Sequence, residues 1–210
     1  IIINLAGSFS NKLHTDIVSN CLISTNIIEV LIDLKYRSTK LILTGSSSEL
    51  FLINKENFKK NNISNYGLTK FFQKLIFDKY KNDKRLKLIY CRIFNPYGPG
   101  ASADLLVGNL YRQINLFNKK TITKVALGNI ESARDYIHID NLIDQICKVI
   151  EYGQNSTIYD LGSGKLTKTK LIVEKILMDN NLSMKHIRLN KKLQTKDNGP
   201  IASLPKIFLK

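Results

Sequence analysis

Three short apolar runs separated by stretches of helical periodicity constrain most strongly what this chain can fold into. Residues 1–5 (IIINL), 40–44 (KLILT) and 86–93 (LKLIYCRI) are dominated by Ile and Leu and do not alternate with polar residues over their length. Continuous apolar runs of that size belong to strands covered on both faces, the habit of parallel sheets. Between the first and second runs, Ile17, Val18, Cys21, Leu22, Ile27, Ile28, Val30 and Leu31 recur at helical spacing. Between the second and third, Ser64 and Asn65 can cap a helix reaching about Tyr80, with Phe71, Leu75 and Phe77 among its buried candidates. Strand, helix, strand, helix, strand in that order predicts right-handed crossovers and an α/β fold with a doubly wound parallel sheet. Past Asn95 the rhythm loosens into a smaller, loop-rich part, with helices expected near 105–116, 139–149 and 167–178 and short strands near Val125 and Ile187.

The 32 Lys and Arg against 17 Asp and Glu give a formal charge of +15. Clustered cations bind nucleic acid by releasing counterions, but here the excess is lysine spread through several segments among abundant Asn and Ile. A positive surface also attracts a diphosphate, so nucleic acid is not expected as the main partner. No apolar run approaches the roughly 20 residues of a membrane span, and no membrane association is expected. Cys21, Cys91 and Cys147 are far apart in the sequence. They are expected to be reduced core thiols of a cytoplasmic protein, with no metal site.

The chemistry concentrates at Tyr66-Gly67-Leu68-Thr69-Lys70, at the start of the predicted second helix. A spacing of four places the phenol and the ammonium on one helical face, a turn apart. A nearby cation favours the phenolate, bringing a group whose pKa is ordinarily ~10 closer to proton exchange at neutral pH. Taken alone, the pair is also what a half-exposed helix surface looks like. Its position after a buried strand ending in Thr44-Gly45-Ser46-Ser47-Ser48-Glu49 favours a site, because carboxyl ends of strands line the ligand crevice of a doubly wound sheet. The serine run by itself would also make a turn. His138, in an alternating apolar segment, is expected in the core.

Seven segments in order carry a resemblance: Asn4 to Gly7, Ser46 to Leu50, Tyr66 to Lys70, Arg92 to Gly100, Gly128-Asn129, Ser132 to His138 and Tyr159 to Gly164. Together they resemble the extended short-chain dehydrogenase/reductases, the NAD-dependent epimerase/dehydratase family that modifies nucleotide-linked sugars. The resemblance implies an NAD or NADP cofactor and a nucleotide-diphosphate sugar substrate. It implies that Ser47 is the catalytic hydroxyl, Tyr66 the acid/base, and Lys70 the group that holds the nicotinamide ribose and lowers the tyrosine's pKa. Asn4, Ala6 and Gly7 would lie along the cofactor, Ser48 and Asn95 would meet the substrate, and Arg134 would pair with its diphosphate, unless Arg134 forms a structural ion pair with Asp135. Residues 1–95 would be a partial cofactor-binding Rossmann portion, and 96–210 mainly a substrate-binding portion. A homodimer is a further expectation drawn from the family.

Glu49 occupies the position where sugar dehydratases carry a glutamate that removes a proton beside a transient ketone, and Ser48 stands where an acidic residue is usual. The stretch from Gly98 to Ile114 with Gly128-Asn129-Ile130 instead resembles reductases of GDP-4-keto-6-deoxymannose. Dehydratase and 4-keto-sugar reductase therefore both stand ahead of a simple 4-epimerase. The family's Gly-x-x-Gly-x-x-Gly loop, whose backbone N–H groups cradle pyrophosphate, has no counterpart among these residues. Amino-terminal βαβ units are accordingly expected upstream of Ile1, and a final strand and helix after Lys210. The competing reading is a non-catalytic scaffold or RNA-binding relative, or an inactive fragment.

Overall fold

The computed structural model describes residues 1–10, 12–53, 64–190, 192, 194 and 198–208. In chain order the strands are β1 (Ile2–Asn4), β2 (Lys40–Ser46), β3 (Lys87–Ile93), β4 (Asn95–Tyr97), β5 (Val125–Leu127), β6 (Ala133–Arg134), β7 (Tyr136–His138), β8 (Ile158–Leu161), β9 (Thr167–Lys168) and β10 (Ile187–Leu189). The α-helices are α1 (Leu13–Asp33), α2 (Leu50–Ile53), α3 (Asn65–Tyr80), α4 (Leu106–Asn118), α5 (Ile139–Tyr152) and α6 (Thr169–Asp179). They gather into two compact units, one built from Ile1–Phe94, Asp144–Leu161 and Ser203–Lys210, the other from Asn95–Ile143 and Gly162–Ala202.

The first unit holds a four-stranded sheet in the order β1-β2-β3-β8, every pair parallel. This is the parallel α/β sheet that the uninterrupted apolar runs call for, and β2, buried from Leu41 through Ser46, lies inside it. Ile28 and Leu31 of α1 and Phe77 of α3 pack with Leu41, Leu43, Leu88 and Tyr90 of the strands. Burying an aliphatic or aromatic side chain in such a core contributes about 1.5–3 kcal/mol. Of the three apolar candidates on α3, Phe77 alone is fully buried, and Leu75 is 44% exposed. The buried stripe of this helix instead runs through Gly67, Lys70, Gln73 and Phe77, so polar residues occupy positions that an apolar count passes over.

Helix α1 contains a widened, π-helical stretch at Val18–Leu22, with Asn20 and Cys21 buried within it. Ser24 and Thr25 return their hydroxyls to the carbonyls of Asn20 and Cys21, side-chain bonds that compete with the regular helical ladder. By length and composition alone α1 is long and apolar enough to cross a membrane, a property the sequence reading overlooked. In the fold its buried residues include Asp16, Asn20 and Ser24 as well as Ile28 and Leu31.

In the second unit β4 pairs with β7 and β5 with β10, both parallel, while β6 and β9 are antiparallel. Its core joins Val107, Leu110 and Ile114 of α4 to Val125 and Leu127 of β5 and to Ile172, Val173 and Ile176 of α6. Two expectations fail. His138 is half-exposed, edge-on to Tyr97 and 3.3 Å from Asp140, because β7 is only three residues long and pairs with β4 alone. Cys21 and Cys91 are buried, but Cys147 is exposed.

Candidate active site

Tyr66 and Lys70 stand near the start of α3, whose first turn is capped by Ser64 Oγ accepting from Gly67 N–H at 3.0 Å. The cap satisfies one of the amides that a helix start leaves without an internal partner. Lys70 is 4% exposed. Its ammonium donates to the Thr44 carbonyl oxygen of β2 and to Gln73 Oε1, both at 3.0 Å. The Tyr66 ring lies edge-on to Phe9 at 5.2 Å, with Lys70 Nζ 5.9 Å from its centroid. Gly7 belongs here too, since a Cβ on it would stand 3.2 Å from Asn20 Oδ1 and 3.5 Å from Lys70 Nζ. The loop after β1 thus delivers Gly7, β2 delivers Thr44, and α3 delivers the phenol and the ammonium.

The hydroxyl close enough to the Tyr66 phenol to pull its pKa down is that of Ser46. Ser46 Oγ also accepts from Ser48 N–H and donates to Ser48 Oγ, both at 3.2 Å. Ser47 is buried, and its hydroxyl has no hydrogen bond with the described residues. Side chains alternate along a strand, and β2 continues through Ser46, so Ser46 shares a face with Thr44. Sequence reading passed over Ser46; the alternation along a strand one residue longer was the available signal.

The electrostatics reverse one expectation. Burial pushes the Tyr66 phenol up, the Ser46 hydroxyl pulls it down, and the charges of Glu49 and Asp16 push it up again. The phenol therefore ends above its ordinary value rather than below it, because the loss of water on burial outweighs the Ser46 hydroxyl. Lys70 is itself pulled down to about 8 by burial, against Glu49 and Cys21, which push it up.

Glu49 is completely buried. Its Oε2 accepts from the Tyr90 hydroxyl at 2.5 Å and its Oε1 from Arg92 Nε at 2.7 Å, while Arg92 Nη1 reaches Asp160 Oδ1 at 2.6 Å. Burial pushes the Glu49 carboxyl up, and Arg92 and Tyr90 work against that. Gly45 makes room for this network, because a Cβ there would meet the Tyr90 hydroxyl at 2.0 Å. Sequence reading gave Tyr90, Arg92 and Asp160 no role of their own, although Arg92 and Asp160 lie in segments that carry the family resemblance.

Asn4 is buried, with its side-chain oxygen accepting from Ala6 N–H at 3.1 Å. Asn95 and Arg134 belong to the second unit. Asn95 donates through its backbone and its side-chain amide to the Asp135 carbonyl, at 3.1 and 3.0 Å. Arg134 Nη1 donates to the Ala133 carbonyl at 2.8 Å. The buried Asp135 carboxylate accepts from Ser163 N–H and Oγ, Gly164 N–H and Ala202 N–H, so it anchors the Gly162-Ser163-Gly164 loop.

Residues 4–203 match the sequence model of the family described as GDP-mannose 4,6 dehydratase. The chain is 30% identical over 136 residues to the dTDP-4-dehydro-6-deoxyglucose reductase of Escherichia coli, covering 65% of this chain and 40% of that protein. It is 26% identical over 174 residues to the ADP-L-glycero-D-manno-heptose-6-epimerase of Brachyspira hyodysenteriae, covering 75% and 52%. The chain thus spans about half or less of the length of these curated relatives. Among solved structures, RMD from Pseudomonas aeruginosa complexed with NADPH superposes with a TM-score of 0.75 at 15% identity, covering 96% of this chain and 71% of that one.

Proposed function

The chain belongs to the GDP-mannose 4,6 dehydratase family, and on that premise we propose that it carries the proton-transfer site of an NAD(P)-dependent enzyme acting on a nucleotide-linked sugar. The observation that carries this reading is the buried Lys70 ammonium, held by the Thr44 carbonyl near the carboxyl end of β2 and 5.9 Å from the centre of the Tyr66 ring, with the Ser46 hydroxyl near enough to the phenol to pull its pKa down. Two of Lys70's three N–H bonds are used within the protein, and the glycine beside it leaves the approach open. That arrangement fits the hydroxyls of a ribose. When bound, NAD or NADP supplies the hydride.

Tyr66, held protonated, gives its proton to the sugar oxygen as that oxygen gains charge. Ser47, whose hydroxyl has no partner within the described residues, hydrogen-bonds the same oxygen and stabilises it. The 4-keto-sugar reductase reading has better support than dehydration, because Glu49 has both oxygens bound by Tyr90 and Arg92 and no exposure. To act as a base it would have to leave that network. The relatives' names include a reductase and an epimerase, which supports the substrate class. Asn95 and Arg134 are assigned to the substrate, the guanidinium being suited to phosphate oxygens. Homodimerisation is supported by exposed apolar residues on α1 (Val18, Leu22) and α3 (Phe72, Leu75).

In the protein carrying this chain, Tyr66→Phe should lower turnover of a nucleotide-linked 4-keto-sugar by about 10²–10⁴-fold, with the circular-dichroism spectrum unchanged. Undiminished turnover would remove Tyr66 from the chemistry and with it this reading.

A further inference from the structure

Gln73 is completely buried on α3, three residues beyond Lys70. An ammonium can only donate, so the atom that meets Lys70 Nζ at 3.0 Å is the amide oxygen. That fixes the other end: the Gln73 amide N–H donates to Ser24 Oγ at 2.8 Å. Ser24 Oγ accepts a second bond from Asn4 Nδ2 at 3.1 Å and gives its own proton to the Asn20 carbonyl at 3.3 Å. A hydroxyl has two acceptor sites and one donor, and all are used. Asn4 Oδ1 in turn accepts from Ala6 N–H. The charge on Lys70 thereby dictates the donor and acceptor sense of each member, back to the loop that follows β1.

We propose that Gln73 is a positioning residue for Lys70: keyed by Ser24, its amide oxygen holds the ammonium in place and sets its hold on its proton without adding a charge. The inference rests on the reading of Tyr66 and Lys70 as a proton-transfer pair. The titratable groups that face Lys70 are Glu49 from the turn after β2, Cys21 from α1 and Tyr66 from its own helix. Gln73 is the neutral partner among them. A carboxylate at this position would close a buried ion pair around the ammonium and keep it protonated well above neutrality.

The test follows the Lys70 side chain by NMR, using the Cε resonance of ¹³C-labelled lysine across a pH titration of the wild type, Gln73→Glu, Gln73→Met and Ser24→Ala. Gln73→Glu should raise the Lys70 midpoint by about one pH unit or more. Gln73→Met and Ser24→Ala should lower it, and Ser24→Ala keeps the test decisive if a buried glutamate prevents folding. Midpoints that stay at the wild-type value in these variants overturn the proposal. If the midpoints move while Tyr66→Phe leaves turnover intact, Gln73 positions Lys70 but the enzymatic reading fails. If they do not move while Tyr66→Phe abolishes turnover, the positioning role alone fails.

Discussion

Lys70 carries its charge where the surroundings penalise it, and this has a measurable cost. Its pKa falls from 10.5 to about 8 on folding, so below pH 8 both folded and unfolded chains hold the proton and the penalty is fully present. Between about 8 and 10.5 the folded chain releases the proton first, and stability rises with pH through that window. The gain is on the order of 3 kcal/mol. Urea unfolding of wild type and Lys70→Met at pH 7 and pH 10.5 should show the wild type gaining that much relative to the variant. A pH-independent difference would mean that burial does not depress this lysine. Tyr66 and Lys70 stood out in the sequence because a spacing of four sets the two side chains a turn apart on one helical face. Gln73 was not, although Tyr66, Lys70, Gln73 and Phe77 share one 4-3-4 stripe, because glutamine on a helix reads as surface. Ser46 was hidden by its neighbours, since three consecutive serines give a motif but not an orientation. The direction of the Tyr66 shift was missed because a cation on the same face was counted and the loss of water was not.

At the scale of elements, α3 depends on its amino-terminal cap. Replacing Ser64 by alanine removes the acceptor for Gly67 N–H and should cost about 1 kcal/mol, read as a lower urea midpoint. The same change should reduce turnover, because Tyr66 lies in the turn that the cap secures. A stability loss with unchanged turnover would show that Tyr66 is held by its contacts with Phe9 and Ser46 instead. The main strands and helices could be read from the sequence because apolar runs and helical periods encode burial directly. What could not be read was the polar interior of the first unit. Asn4, Asn20, Ser24, Thr69 and Gln73 are buried and hydrogen-bonded to one another or to Lys70, whereas periodicity counts only apolar residues. Such a network is stable only when every member finds a partner, and no single residue in it announces that condition.

For the whole molecule, self-association is the property that turnover does not test. Val18 and Leu22 are one turn apart on α1, and Phe72 and Leu75 three residues apart on α3, each pair on one helical face. Leu22→Glu combined with Phe72→Glu should convert a dimer to a monomer by light scattering, while the double variant keeps its thermal transition. An unchanged mass would exclude this face as the contact. The division of the chain into units was harder to anticipate, because the first unit returns to the sequence twice, for Asp144–Leu161 and for Ser203–Lys210. Local pattern says where a strand is, but not which distant segment completes its sheet.

That return has a consequence for how the chain acquires its structure. β3 ends at Ile93, and its neighbour β8 begins only at Ile158, so during synthesis one side of β3 waits for a partner until the residues through Leu161 have been made. Pairings so distant in sequence form slowly, and an open strand edge is a template for wrong partners. The edge of β3 that β8 covers therefore stays open to wrong partners until β8 docks, in the same sheet whose β2 holds Lys70 through the Thr44 carbonyl.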